Sequence, residues 1–109
     1  PIAVINIGGI ANVTWIGRSE TASHDLMDLD ILALDTGPGN AMLNDWAFKH
    51  TGNDCDQEGR LALAGKVDNA IVESMLQNSY FAKRPPKSLD RNHFSLDPIE
   101  KLSKEDGAA

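Results

Sequence analysis

The stretch LALDTGPGNAML, residues 32–43, changes the periodicity of the chain within a dozen positions. Before it, apolar residues are β-branched and closely spaced, as in strands. After it they recur at three and four positions, as on one face of a helix. A chain with this break is confined to strands first and helices second, joined through Gly37-Pro38-Gly39. It lacks the strand–helix alternation of a βαβ dinucleotide fold.

Three strands are expected: IAVINI (2–7), VTWIG (13–17) and ILALD (31–35), the first two joined as a hairpin by GGIAN. Residues 17–30 read as an exposed loop or ragged strand edge. The spacing predicts a helix from 40 to 50, with Leu43, Trp46, Ala47 and His50 on one face and Gly52 as its terminator. RLALAGKV reads as a short helix ended by Gly65. VDNAIVESMLQNSYF reads as a longer helix with Val67, Ile71, Met75 and Leu76 on one side, and Asp68 near its N-terminus suits the helix dipole. Pro85 and Pro86 forbid regular helix around them, a short helix is expected at Pro98, and SKEDGAA reads as a soft polar tail. The fold class is therefore α/β: a three-stranded antiparallel meander (1–36), then a helical part (37–109) with a Pro-rich loop at 84–91. Residues 1–109 are expected to be one partial domain, a fragment of a longer enzyme or an isolated domain, because the chain opens directly in an apolar segment with no starting methionine or polar lead-in.

Ten Lys and Arg against sixteen Asp and Glu give a net charge of −6. This argues against general binding to nucleic acid or anionic membranes, which calls for a basic face. A small anion held by backbone N–H groups remains compatible with it. The single cysteine, Cys55, rules out an internal disulfide. No apolar run approaches the roughly 20 residues that span a bilayer, and the first one, broken by Gly8 and Gly9, lacks a basic leader. A cytoplasmic protein is the expectation.

Three segments have residue types suited to chemistry. In NIGGIANVT (6–14), Gly8 and Gly9 allow close backbone approach to phosphate oxygens, and Asn6, Asn12 and Thr14 add short polar groups. An ordinary glycine hairpin explains the glycines equally well, and neither G-K-[ST] nor G-x-G-x-x-G is present. In DTGPGN, Asp35 ends a strand, Thr36 can donate and accept, and Gly37 and Gly39 permit unusual backbone angles. Asn40 is a candidate N-cap, behind which helix N–H groups would offer an anion site. Here too the alternative is a turn and cap alone. Asp45 and Asp56 could hold Mg²⁺ through waters and phosphates, or be a solvated helix residue and a turn residue. In KRPPKSLDRNHF (83–94), Lys83, Arg84, Lys87 and Arg91 form a basic island, with Lys87 and Ser88 as either a substrate loop or a solvated one. His24, His50 and His93 share no metal-ligand spacing, and Ser88 has no nearby His–Asp partner.

Taken in order, NIGGIANVT, LDTGPGNAMLNDW (34–46) and YFAKRPPKSLDRNHF (80–94) resemble the motifs of the anhydro-N-acetylmuramic acid kinases. DCDQEGRLALAGKV resembles that family's D-x-x-G-x-x-A-x-x-G stretch, at Asp56, Gly59, Ala62 and Gly65. The resemblance covers residues 2 to about 97. It implies a lobe of the RNase H-like, actin/hexokinase-like ATPase superfamily, with ATP and Mg²⁺ as cofactors and an anhydro amino sugar as small-molecule partner. It places ATP phosphates at Gly8, Gly9 and Asn12, and the border of the phosphate, Mg²⁺ and sugar cleft at Asp35, Thr36, Gly37, Gly39 and Asn40. The implied reaction is ATP-dependent cleavage and phosphorylation of 1,6-anhydro-N-acetylmuramic acid to N-acetylmuramic acid 6-phosphate, in peptidoglycan recycling. The family's catalytic Asp and first phosphate loop belong upstream and its adenosine motif downstream, so no catalytic residue and no Mg²⁺ ligand is assigned in this chain. The chain alone is expected to be inactive, and a homodimer is one expected form of the full-length protein. Leu89-Asp90 replaces a Thr-Gly pair of other members, and Asn53 replaces a glycine. The alternative is a non-catalytic binding or assembly module of the same fold.

Overall fold

The computed structural model describes residues 1–18 and 29–109. Strands β1 (Ile2–Ile7), β2 (Ile10–Arg18) and β3 (Leu29–Pro38) form an antiparallel meander in the order β1-β2-β3. Helices α1 (Asn40–Thr51), α2 (Arg60–Ala64), α3 (Asn69–Leu76), α4 (Ser79–Ala82) and α5 (Lys104–Ala108) follow. Strands first and helices second is the expected α/β arrangement. Among the described residues no helix is long and apolar enough to cross a membrane.

The joint between the two parts differs from expectation. β2 starts at Ile10, but Ile7 pairs with Ala11, so GGIAN gives Gly8, Gly9 and Ile10 to the turn between β1 and β2. β3 does not stop at Asp35: Gly37 pairs with Ala11 and Pro38 with Ile10. Gly37-Pro38 is thus strand rather than turn, and the missing proline N–H falls at the strand's last residue, where it is tolerated. Gly17, Arg18, Leu29 and Asp30 also lie in paired strands rather than in a loop. The remainder of that loop expectation, residues 19–28 with His24, lies outside the described residues.

Among the described residues the buried apolar side chains are those of Ala41, Trp46, Ala47, Tyr80 and Leu89. Of the face expected on α1, Trp46 and Ala47 are buried, while Leu43 is 52% exposed. Ala41 takes the inner place because the β1–β2 hairpin packs on the first turn of α1, with Gly9 against the Ala41 side chain. Gly52 ends α1 in the left-handed region (φ 75°), its N–H donating to the Phe48 carbonyl at 2.9 Å.

Two further expectations are corrected. The helix expected over 67–81 is broken, because the Asn78 side chain accepts from the Tyr80 N–H at 2.9 Å and caps a new helix, α4. Asp68 caps α3 in the same way, accepting from the N–H groups of Ala70 and Ile71. The soft polar tail is in fact helix α5, with Ser103 as its cap. Trp46 draws it in: the indole Nε1 donates to the Lys104 carbonyl at 2.8 Å, and a Cβ on Gly107 would lie only 2.1 Å from the ring. The Asp106 carboxylate accepts from the Lys66 N–H at 2.8 Å, tying α5 to the end of α2. That bond, with Ser103 and the Lys66 charge, holds Asp106 below the usual carboxylate range. Pro98 lies in a 3-10 turn, Asp97–Ile99.

Candidate functional site

The sheet register assembles a polar row that runs across the strands. Asn6 pairs with Asn12 and Asn12 pairs with Asp35, and directly opposed residues share a face. Thr14, two residues beyond Asn12, lies on that same face. The pairing shifts between Ala11 and Asn12: Ala11 faces Gly37, Asn12 faces Asp35, and Thr36 is the extra residue of a bulge. Bulges re-aim neighbouring side chains, and Thr36 secures this one by donating from Oγ1 to the Ala11 carbonyl at 3.1 Å.

Beyond the bulge the 87–89 segment lies along β3. The Asp35 N–H donates to the Lys87 carbonyl at 3.0 Å, and Asp35 Oδ2 accepts from the Leu89 N–H at 2.7 Å. Tyr80 donates its hydroxyl to the Asp35 carbonyl at 2.8 Å. Burial first, then the Asp35 charge, pushes the Tyr80 phenol above its ordinary value and keeps it a donor. Between sheet and segment is a cavity of about 220 Å³, lined by Asn12, Thr14, Asp35 and Ser88 among others. Among the described residues the Asn12 and Ser88 side chains have no hydrogen-bond partner. Lys87 borders the same cavity, but its ammonium is engaged elsewhere. It donates to the Tyr80 and Phe81 carbonyls at 3.1 and 3.4 Å and lies 4.6 Å from the Tyr80 ring centroid. A cation there interacts with both the helix end and the ring face.

A second group forms where the hairpin meets α1. The N–H groups of Gly39 and Ala41 donate to the Gly9 carbonyl at 3.0 and 3.1 Å, and that of Asn40 to the Gly8 carbonyl at 2.8 Å. The helix N–H groups expected to face an anion therefore face the hairpin. Asn40 is the first helical residue and not the N-cap; Gly39 holds that place, and the Asn40 amide donates to the Ile7 carbonyl at 3.1 Å. Gly39 is required by close approach rather than by unusual angles, since a Cβ there would stand 2.5 Å from the Gly8 carbonyl oxygen. At Gly8 and Gly9 an added Cβ would make ordinary contacts, 3.6 and 3.5 Å away. Gly37 packs beneath the Phe81 ring.

The other acids are engaged in the fold. Asp45 pairs with Arg91 at 2.8 Å, exposed to solvent, where such pairs contribute little. Asp56 caps α2, its two oxygens accepting from the Leu61 and Ala62 N–H groups at 2.9 and 3.1 Å. Among the described residues no three His, Cys, Asp or Glu groups come together. One half-buried carboxylate with a hydroxyl and an amide nearby suits Mg²⁺ held mainly by water and phosphate, not a cage built of protein ligands. A larger groove of about 430 Å³, with Met42, Leu43, Ile71 and Met75 in its walls, is predominantly apolar.

The polar cavity and the hairpin are built from the NIGGIANVT, DTGPGN and RPPKSLDRNHF segments. The model of the family described as anhydro-N-acetylmuramic acid kinase matches residues 1–108. The chain belongs to the anhydro-N-acetylmuramic acid kinase family. Relatives carrying that name include proteins of Zymomonas mobilis (47% identical), Rhodospirillum rubrum (48%) and Paramagnetospirillum magneticum (48%). Each match covers 100% of this chain but only 28%, 27% and 29% of the respective relative. The chain thus spans a little over a quarter of the length of the curated kinases that it matches.

Sequence reasoning missed Tyr80, the Leu89 N–H and the bulge at Thr36. The sequence marks Tyr80 only as an aromatic residue beside Phe81; its burial comes from tertiary packing. Nothing in the sequence marks the bulge.

Proposed function

We propose that this chain forms one wall of the ligand cleft in an ATP-dependent kinase that acts on 1,6-anhydro-N-acetylmuramic acid. The alignment of Asn12, Asp35 and Ser88 on one cavity is the observation that carries this reading, with the family match in support. In the full-length enzyme, water attacks the anomeric carbon, its bond to the 6-oxygen breaks, and that oxygen takes the γ-phosphoryl group of ATP. The products are N-acetylmuramic acid 6-phosphate and ADP, and the place of the reaction is peptidoglycan recycling in the cytoplasm. Asn12 and Ser88 donate to phosphate or sugar oxygens, and the remaining oxygen of Asp35 would help to hold hydrated Mg²⁺. Mg²⁺ supplies charge neutralisation at the phosphates. Gly8 and Gly9 keep the hairpin tip thin, so that the backbone approaches the phosphates closely. Such a reaction depends on positioning and charge stabilisation from both walls of a cleft. The general base is expected outside this chain.

The test is ADP release coupled to a reporter enzyme. The full-length protein is expected to release ADP only when the anhydro sugar is present, and the purified 109-residue chain to release none. ADP release by the full-length protein that ignores the sugar would refute the substrate; turnover by the 109-residue chain would refute the shared cleft.

A further inference from the structure

We propose that Tyr80 and Lys87 are positioning residues of the polar cavity, which together hold the 87–89 segment so that Asp35 and Ser88 face the ligand. This rests on the kinase reading above.

The Lys87 ammonium is not free to meet a phosphate, because the Tyr80 and Phe81 carbonyls and the Tyr80 ring already hold it. Its backbone does different work, since the Lys87 carbonyl accepts from the Asp35 N–H. Tyr80 is 1% exposed and grips the same residue from the other side, through the Asp35 carbonyl. Leu89, 8% exposed, anchors the far end of the segment, and its N–H takes one Asp35 oxygen. Asp35 is thereby fixed at its N–H, its carbonyl and Oδ2. One carboxylate oxygen is left with no partner among the described residues, and Asp35 lines the cavity. The bonds form a closed circuit: Lys87 holds Tyr80, Tyr80 holds Asp35, and Asp35 holds Lys87. Ser88 sits inside that circuit, between the two backbone contacts. Loss of one link lets the segment shift relative to β3, and misplacement by an ångström is costly for a reaction that depends on geometry.

The experiment uses the full-length kinase with Lys87→Met, Lys87→Arg and Tyr80→Phe, assayed for sugar-dependent ADP release, with hydrogen exchange followed on the peptide that contains Leu89. For Lys87→Met, kcat is expected to fall roughly 10- to 100-fold with the KM for ATP within about twofold. Lys87→Arg should recover most of that loss, because a guanidinium reaches the same carbonyls and ring. Tyr80→Phe keeps the ring and removes one hydrogen bond, so kcat should fall roughly three- to tenfold. Exchange at the Leu89 peptide should speed up in Lys87→Met and Tyr80→Phe, while α1 stays unchanged. A raised KM for ATP with unchanged kcat would show Lys87 contacting phosphate and overturn the proposal. So would unchanged kinetics in all three variants of an active enzyme, or unchanged exchange at Leu89. If the wild-type enzyme itself releases no ADP with the sugar, the kinase reading fails, and the exchange arm still decides whether the circuit exists.

Discussion

Trp46→Ala is expected to unfasten α5 from α1. The indole is 1% exposed, its Nε1 holds the Lys104 carbonyl, and Gly107 lies flat against the ring. Removing a buried tryptophan costs about 3–5 kcal/mol through lost burial and the cavity left behind. Among the other described residues only Ala41, Ala47, Tyr80 and Leu89 are buried as deeply as an apolar core requires, so few contacts stand in for it. In the full-length protein this should appear as faster amide exchange in α1 and α5, by roughly two to three orders of magnitude. Trp46→Phe retains most of the burial and loses the hydrogen bond, a change of about 1 kcal/mol beyond the lost area. Unchanged exchange in Trp46→Ala would show that α5 is held by something else.

Gly39→Val has the second large effect, and it reaches function through backbone. Any side chain at this position drives a Cβ to within 2.5 Å of the Gly8 carbonyl and 3.1 Å of the Ala11 nitrogen. Neither neighbour is a flexible side chain, so the hairpin must lift from α1, breaking the bonds from the Gly39, Asn40 and Ala41 N–H groups. Overpacking of this kind costs about 1–3 kcal/mol or more. Loss of sugar-dependent ADP release should accompany the lower stability. Gly9→Ala is the contrasting variant: its Cβ makes an ordinary 3.5 Å contact with Ala41, so exchange in α1 should not change while the KM for ATP rises. Equal stability and equal kinetics for Gly39→Val would contradict the close packing described here.

How far these features could be read in advance differs by residue. Gly8 and Gly9 mark in the sequence where the hairpin turns, but a turn of those two residues alone would pair Asn6 with Ala11, and the observed pairing with Asn12 needs Ile10 in the turn as well. The alignment of Asn6 and Asn12 with Asp35 does not follow either, because it depends on the extra residue at Thr36, and a shift of one residue sends a side chain to the opposite face. Asn40 illustrates a second limit. Its residue type suits an N-cap, yet the hairpin carbonyls supply what the helix end needs, and the amide turns to Ile7 instead. Lys87 was legible as a cation in a Pro-stiffened loop; only the fold shows that its charge is committed to α4. Helix α5 was missed because five residues rarely hold a helix by themselves, and it is Trp46, far away in sequence, that completes it. Asp35 stands out in the sequence as an acid at a strand end; what only the fold shows is that three of its bonds make it the point where sheet and loop are joined.

We propose that the Asn12, Asp35 and Ser88 cavity belongs to the ligand cleft of the full-length protein. Asn12→Ala tests it most directly, because among the described residues the Asn12 side chain has no structural partner to lose. In the full-length enzyme, sugar-dependent kcat/KM is expected to fall roughly tenfold or more, the scale of removing one aimed donor, with amide exchange across the sheet unchanged. Unaltered kcat and KM for both ATP and the anhydro sugar in Asn12→Ala would contradict the claim.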